Sequence, residues 1–358
     1  MDDNVGNYPL YGASGFLKCI DFYEMDSDYI SIVKDGSGVG NISFHEKNTS
    51  VVNTSQYILP KENLNIHFIF YLLQTINLNK YKTGSTIPHI YFKDYSIEKV
   101  KIPKYDEQKK IGILLKNLDA KIEILDNKLQ MCQNFKKYLM QQIFTQKLRF
   151  ENYNEAIYKL SDLYSSKKGT GLSKDKLDEE GLNKCILYGE LYTTYNEIIQ
   201  DVKSKTNSQE GILSKVGDIL IPSSTTTKGI DLVTASVILE ENVLLSGDIT
   251  ILRSKNENII NNKFFAYYFT NNLVKDVSKL TQGSTIIHLY WKDFKKVKLA
   301  LPPINEQNKC VDLFLKLDKK IDLINFQIQK MEEFKKGLLQ QMFVVQLILS
   351  LLQNKKHI

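Results

Sequence analysis

The sequence predicts an α+β chain in which two mixed α/β domains are each followed by a long helix, the two helices pairing as an antiparallel coiled coil within an internal pseudo-two-fold duplication. Three observations predict it. A block of sequence recurs about 200 residues downstream, too large a period for a solenoid of short repeats. Each copy ends in a heptad stripe, and the segments ahead of the copies read as short strands broken by glycine turns.

The duplication is direct. Gly84-Ser-Thr-Ile-Pro-His-Ile-Tyr-Phe-Lys-Asp94 returns as Gly283-Ser-Thr-Ile-Ile-His-Leu-Tyr-Trp-Lys-Asp293. The same offset aligns, without a gap, Pro103 with Pro302, Glu107-Gln108 with Glu306-Gln307, and Leu118-Asp119 with Leu317-Asp318. It continues through Phe135-Lys136-Lys137 with Phe334-Lys335-Lys336 and Gln141-Gln142 with Gln340-Gln341.

Within each copy apolar residues step by four and three: Ile111, Leu115, Leu118, Ile122, Leu125, Leu129 and Cys132, then Cys310, Phe314, Leu317, Ile321, Ile324, Ile328 and Met331. That is the narrow seam which two supercoiling helices bury against each other. Pro103 and Pro302–Pro303 cannot continue a helix and precede its start, with Asp106 and Asn305 as the expected N-caps. Each helix could instead pack on its own domain. Two matching seams in one chain favour mutual pairing, because each offers the partner the other needs. The domain between them is long enough to let the helices run antiparallel.

Ahead of the first helix, Asp28–Val33 and Val39–Phe44 read as strands joined by the turn Lys34–Gly38. Ahead of the second, Gly217–Pro222 and Gly247–Arg253 read as strands behind glycine turns. A short amphipathic helix follows in both copies, around His67–Thr75 and Phe264–Asn272. The expected organisation is a first domain over 1–104, a helix over 105–150, a second domain over 151–303, a helix over 304–348 and an atypical tail over 349–358. The helices repeat well while the upstream parts of the domains scarcely align, so one frame carries two unlike heads.

Composition bounds the function loosely. A net charge of +6 over 358 residues permits a polyanionic partner without demanding one. The four cysteines form no CxxC pair, which argues against a disulfide framework or zinc ribbon and for buried thiols in a reducing cytoplasm. No signal peptide is visible, and the apolar stretch Phe343–Leu352 is too short to span a bilayer. A cytoplasmic protein is expected.

The sequence carries no complete catalytic motif. Gly36-Ser-Gly-Val-Gly40 is followed by a strand pattern, whereas a phosphate cradle needs a helix N-terminus there. There is no GxxxxGK[ST] loop and no GxSxG elbow, and Pro302–Pro303 lacks the preceding Asn or Asp of an amino-methyltransferase site. The five histidines show no metal-ligand spacing. No catalytic, cofactor or metal residue is nominated, and the absence of all these motifs points to binding.

The doubled order Gly-Ser-Thr, Lys-Asp, Pro, Glu-Gln, Leu-Asp, Phe-Lys-Lys, Gln-Gln and Phe resembles the specificity subunits of Type I restriction–modification systems. Asn7–Gly15 and Tyr188–Tyr192 also look like segments of their target-recognition domains. The resemblance implies two target-recognition domains, each reading half of a gapped site in double-stranded DNA. It implies two modification subunits docked on the helices, with restriction and motor subunits joining them. It implies no cofactor in this chain; S-adenosylmethionine, ATP and Mg would belong to the partner subunits. A helix of about 40 residues is about 60 Å long, against roughly 34 Å per DNA turn, so such a spacer suits a gap longer than one turn.

Two departures stand out. The first globular segment is roughly 50 residues shorter than the second, counted back from the repeat, so the first target-recognition domain is expected to lack its opening strand and helix. Phe144-Thr-Gln-Lys-Leu-Arg-Phe150 closes the first helix in the family manner, but Phe343-Val-Val-Gln-Leu-Ile-Leu-Ser350 does not. A truncated, recombined or frame-shifted copy is the expectation. The alternative readings are a coiled-coil adaptor that never touches DNA and, behind it, a single-chain enzyme.

The expected DNA contacts are loop residues next to the repeat: Lys34, Ser37, Lys82, Ser85, Thr86 and His89 in the first domain. In the second they are Thr225, Thr226, Lys228, Arg253, Ser284, Thr285, His288 and Lys292. Lysine and arginine suit phosphates, and hydroxyls and imidazoles suit phosphates or base edges. The expected pairing and docking residues are the seam positions Ile111, Leu115, Leu118, Ile122, Leu125 and Leu129 with Phe314, Leu317, Ile321, Ile324, Ile328 and Met331.

Overall fold

The alternating segments do form strands, and the computed structural model describes them within residues 4–344. By its internal contacts the chain divides into two units. One takes the residues up to Leu129 together with those from Leu323 on; the other is Gln130–Asp322. Each unit thus holds one globular domain and a piece of both long helices.

In the first unit the central strand is Tyr29–Val33, buried along its whole length between the antiparallel strands Ile42–His45 and Ser55–Ile58. Ile32 packs with Val39, Leu78, Ile90 and Tyr95. A second small sheet pairs Tyr8–Gly12 with Gly15–Ile20 and with Ser50–Val51. The strand expected over Val39–Phe44 starts later, at Ile42, because Gly36 and Gly40 take φ of 92° and 89° and extend the turn. Gly40 donates its N–H to the Val33 carbonyl at 2.8 Å, so the glycine run is a hairpin connection.

His45 sits inside this sheet, its Nε2 2.9 Å from Ser31 Oγ and its ring stacked 4.9 Å from Tyr29. Burial holds its pKa down at about 4. An unfolded chain takes up that proton near the ordinary value of about 6.5, so the contribution of neutral His45 is complete above pH 6.5 and lost as pH falls towards 4. The loss amounts to at most about 3 kcal/mol. The urea midpoint of the first unit should therefore fall between pH 7 and pH 4.5, and His45→Gln should flatten that dependence. An equally steep fall in the variant would exclude His45 as its source.

In the second unit a five-stranded sheet runs Ile198–Ile199, Ser236–Ile238, Ile219–Pro222, Ile249–Ser254 and Tyr164–Lys168. One face packs Ile219, Ile221, Val237 and Leu252 against Phe264, Phe265 and Phe269 of the helix Asn262–Asn272. The other face packs Leu220, Ile238, Ile249 and Ile251 against Ile186, Leu191 and Val202. Ile186 belongs to a second sheet of order Ser204–Thr206, Asn183–Ile186, Leu244–Leu245, Ile212–Leu213. Helix, sheet and sheet therefore stack with a core on each side of the middle layer. The strands expected from Gly217 and Gly247 begin two residues later, at Ile219 and Ile249, because Gly217 and Asp248 take positive φ.

The long helices are Tyr105–Phe144 and Ile304–Leu339, the second followed by a π-turn, Gln340–Val344. Asp106 and Asn305 are not their N-caps. The first free N–H groups are taken by the Lys104 carbonyl (Glu107 N, Gln108 N) and the Pro303 carbonyl (Glu306 N, Gln307 N), so both residues lie one position inside. What fixes each helix start is a buried glutamine in its first turn. Gln108 Nε2 donates to Pro103 O at 2.9 Å while its Oε1 accepts from Asn65 N at 2.9 Å. Gln307 repeats this on Pro302 O and Asn261 N, both at 2.9 Å. Asn65 and Asn261 are in turn the N-caps of the two short helices, so each glutamine ties a long helix to its own domain.

The seam is real but has two partners. Leu115, Leu118, Phe314 and Ile324 are buried; Ile111, Ile122, Leu125, Leu129, Leu317, Ile321, Ile328 and Met331 are half-buried. In the first unit Leu115 and Leu118 pack on Phe68, Tyr71 and Leu72 of the short helix Ile66–Gln74, and Met331, Leu338 and Phe343 of the second long helix join the same cluster. In the second unit Phe314 packs with Phe264 and with Met140, Ile143 and Phe144 of the first long helix. The helices pair with each other and pack on their own domains at once.

A polar clasp recurs in each unit. Lys335 Nζ lies 2.6 Å from Asp119 Oδ1 and 5.4 Å from the centre of the Tyr71 ring, whose hydroxyl donates to Asp119 at 2.7 Å. Its repeat counterpart is Lys136, 2.5 Å from Asp318 and 5.0 Å from the Tyr267 ring, with Tyr267 donating to Asp318. Within the second unit Lys136 faces Asp318 while Phe144, further along, faces the earlier residue Phe314. The strands of the pair run antiparallel. Burial and the neighbouring carboxylates push the Tyr71 and Tyr267 hydroxyls well above their ordinary pKa, so they remain donors.

Cys185 and Cys310 are buried, and burial raises their thiols to about 11 and about 12. Cys19 and Cys132 are only half-buried, so the expectation of four buried thiols holds for two. Among the described residues no helix is long and apolar enough to cross a membrane. The tail expected over 349–358 lies outside the described residues.

Candidate nucleic-acid interface

The repeated Gly-Ser-Thr is a tight turn. Thr83 and His89 exchange backbone hydrogen bonds at 2.9 and 2.8 Å, as do Gln282 and His288 at 2.9 and 2.7 Å. Gly84 and Gly283 take φ of 87° and 107°, and a Cβ there would meet the Ile87 and Ile286 carbonyls at 2.6 and 2.1 Å. The glycine is therefore required by the turn. It leaves Ser85 and Thr86, and Ser284 and Thr285, exposed at the tips.

Each turn is docked beside a second loop from its own sheet. In the first unit Gly36 N donates to Pro88 O at 3.0 Å and Ile90 N to Lys34 O at 2.9 Å. Lys34, Ser37, Lys82, Ser85, Thr86 and His89 are thus gathered on two adjacent loops. His89 Nδ1 lies 2.6 Å from Asp35 Oδ1, an ion pair when the ring is protonated. In the second unit Ser224–Thr225 pairs with Ile287–His288, and Lys228 opens a helical turn whose Gly229 lies against Thr281. This gathers Thr226, Lys228, Ser284, Thr285 and His288. Here the histidine turns to an aromatic partner, its Nδ1 3.0 Å from the Tyr290 hydroxyl with the rings stacked. Each head therefore presents a polar, cationic, glycine-turned edge, the kind of surface that phosphate and base-edge contacts use.

The sequence profile of the Type I restriction modification DNA specificity domain matches this chain twice, over residues 2–132 and 153–333. The chain belongs to that family. It is 24% identical over 333 residues to a protein of Haemophilus influenzae described as a Type I restriction enzyme specificity subunit, covering 87% of this chain and 80% of that one. It is 21% identical over 333 residues to the Type I restriction enzyme MjaVIII specificity subunit of Methanocaldococcus jannaschii, covering 87% of this chain and 77% of that one. The fold resembles the crystal structure of a Type I restriction–modification S subunit from M. genitalium at a TM-score of 0.65, with 18% identity over 96% of this chain and 91% of the other. A second solved chain, from work on assembly of a Type I system, gives a TM-score of 0.55 at 13% identity over 95% and 92%. Specificity subunits are the non-catalytic members of these complexes.

Two of the residues expected to contact DNA are otherwise engaged in this specificity subunit. Arg253 forms a two-pronged ion pair with Asp218 at 2.8 and 2.9 Å, and Asp218 is buried. Its strand begins beside the Ser224 loop and carries Arg253 to the other end, about four residues or 13 Å away. Thr225 is buried and its hydroxyl bonds Thr227 at 2.8 Å. Four side chains not chosen from the sequence belong beside the turns. Tyr91 is exposed with Lys93 Nζ 5.5 Å from its ring, while Tyr290 has Lys168 and Lys292 at 5.8 and 5.7 Å. The repeated Tyr-aromatic-Lys after each turn was the available signal.

Proposed function

We propose that this specificity subunit reads a two-part, gapped site in double-stranded DNA, one half with each loop pair. The single observation that carries the proposal is that two unlike sheets present the same Gly-Ser-Thr turn beside a second cationic loop. Its long helices dock two modification subunits, and restriction subunits join through them. The chemistry, with its S-adenosylmethionine, ATP and Mg, belongs to those partners. The docking reading rests on exposed apolar side chains at matching repeat positions of the two helices: Ile124 with Leu323, and Phe135 with Phe334. Exposed large apolar groups at paired positions suit a two-fold set of protein contacts.

A salt titration tests the DNA surface. Lys82→Ala with Lys292→Ala should weaken binding to all sequences and make the slope of log K against log salt shallower by about one unit per lysine. Unchanged affinity and slope would place the DNA on another edge of the sheets. Arg253→Ala serves as the contrast: it leaves buried Asp218 unpaired, costing about 3 kcal/mol of stability or more, without changing the salt slope. Docking is tested separately with Phe135→Asp plus Phe334→Asp. These exposed positions should leave the melting temperature within a few degrees while abolishing co-elution with the modification subunit; intact co-elution excludes this surface.

A further inference from the structure

The two Gly-Ser-Thr turns are each followed by an isoleucine that stands out into solvent. Ile87 is 57% and Ile286 51% exposed, and neither joins a core cluster among the described residues. The next apolar positions turn inward, Ile90 and Leu289 being buried. A single exposed isoleucine needs no explanation. Two at one repeat position do, because their neighbours differ: Pro88 stands where Ile287 stands, Ile90 where Leu289 does and Phe92 where Trp291 does.

Both side chains are carried on fixed backbone. The carbonyl of each isoleucine lies against its turn glycine, and the paired hydrogen bonds Thr83–His89 and Gln282–His288 close the turn. A β-branched side chain on such a backbone has little rotamer freedom to lose on contact. The adjoining loops add apolar groups. In the second unit Ile230 is exposed, next to Gly229 where it lies against Thr281. In the first, Phe16 and Leu17 are exposed on a hairpin whose register slips between Leu10 and Tyr11, an irregularity that re-aims side chains. Ala13 of that hairpin lies against Gly38, which belongs to the second loop of the pair.

We propose that Ile87 and Ile286 are wedges, each pressing into a base step of one half-site and partly unstacking it. The proposal rests on the DNA reading given above and assigns the apolar part of that surface. Phosphates offer nothing to an isoleucine. The apolar features of a groove are the thymine methyl and the face of an opened base step, into which isoleucine is one of the side chains that insert. A residue common to two otherwise unlike heads suits the feature common to every sequence, which is the base step. The lysines and hydroxyls around the turn hold the backbone while the wedge opens the stack. Steps that unstack easily are then favoured at that position without a hydrogen bond to any base.

The test uses the full chain with its modification subunit, bound to the motif found by methylome sequencing. 2-Aminopurine replaces in turn each purine of the half-sites other than the methylated one. In the parent complex fluorescence should rise at one step in each half-site. Ile87→Ser should abolish the rise in one half-site only, and Ile286→Ser in the other only. Each should weaken binding about tenfold and leave the salt slope unchanged, since no phosphate contact is lost. Ile87→Val and Ile286→Val keep a branched apolar end and should keep both signals. The serine variants should melt within a few degrees of the parent, because both positions lie outside the cores. Flat fluorescence in the parent overturns the proposal, as does a rise that survives the serine variants. It is equally overturned if replacing one thymine by uracil reproduces the loss of affinity while the rise persists, which makes the isoleucine a reader of the methyl group. Failure of the underlying reading shows separately, as an unchanged salt slope in the doubly substituted Lys82→Ala, Lys292→Ala chain, and the wedges fall with it.

Discussion

Phe314→Asp should unfold the second unit while leaving the first sheet intact. Phe314 is fully buried, with Phe144 and Tyr267 rings edge-on at 5.6 and 5.1 Å. Truncating such a phenylalanine costs about 3–5 kcal/mol, and a carboxylate in its place adds the cost of a buried charge without a partner. Against a total stability of about 5–15 kcal/mol, that removes most of what holds the unit folded. The readout is hydrogen exchange: Ile219–Pro222 and Ile249–Ser254 lose protection, Tyr29–Val33 keep theirs. Leu115→Asp, at the equivalent repeat position, should give the reverse pattern, because Leu115 is fully buried on Phe68, Tyr71 and Leu72. Loss of both sheets in either variant would mean that the two units unfold as one.

That expectation differs from what a coiled-coil seam alone implies, and the difference measures what the sequence could reveal. Periodicity located the body of the seam, because heptad spacing is a property of one helix, but not its ends at Met140, Phe144, Leu338 and Phe343. It could not show that Leu115 and Phe314 serve two partners, since the short helices that meet them lie more than 40 residues earlier in the chain. Asp106 and Asn305 have the right chemistry for N-caps but lie inside the helices, whose starts are fixed instead by Gln108 and Gln307 on backbone brought close only by folding. The repeated glycines were legible as turns, and the structure gives their reason in positive φ and carbonyls that leave no room for Cβ.

The two loop pairs were legible as loops, but the partners of their side chains were not. Polar residues next to the repeated turn do come together, because the turn and the strand connection share hydrogen bonds. Arg253 and Thr225 looked equally suitable by type. Asp218, 35 residues before Arg253, occupies its guanidinium, and strand pairing buries Thr225. Tyr91 and Tyr290 were passed over because aromatic residues read first as core; only the fold leaves Tyr91 exposed with a lysine over its ring.

If the helices set the spacing of the two DNA half-sites, lengthening both should lengthen the unread gap. One heptad inserted after Gln130 and one after Gln329, which are equivalent positions, keeps the seam in phase because seven residues are two turns of a supercoiled helix. Each insertion adds about 10 Å at 1.5 Å per residue, which is about three base pairs at 3.4 Å each. Three base pairs also rotate the DNA by about 100° at roughly 10.5 per turn, whereas a heptad turns the helix pair by only about 20°. The lengthened complex must twist its DNA to bring both half-sites round, so affinity should fall even at the best gap. The expected result is a methylated motif with unchanged half-sites and a gap longer by about three base pairs, read by methylome sequencing of cells carrying the variant with its modification subunit. Inserting two residues at the same positions turns the seam by about 200°, to the far side of each helix, and should abolish methylation at every gap length. An active heptad variant that keeps the original gap would show that the half-site spacing is set by something other than helix length.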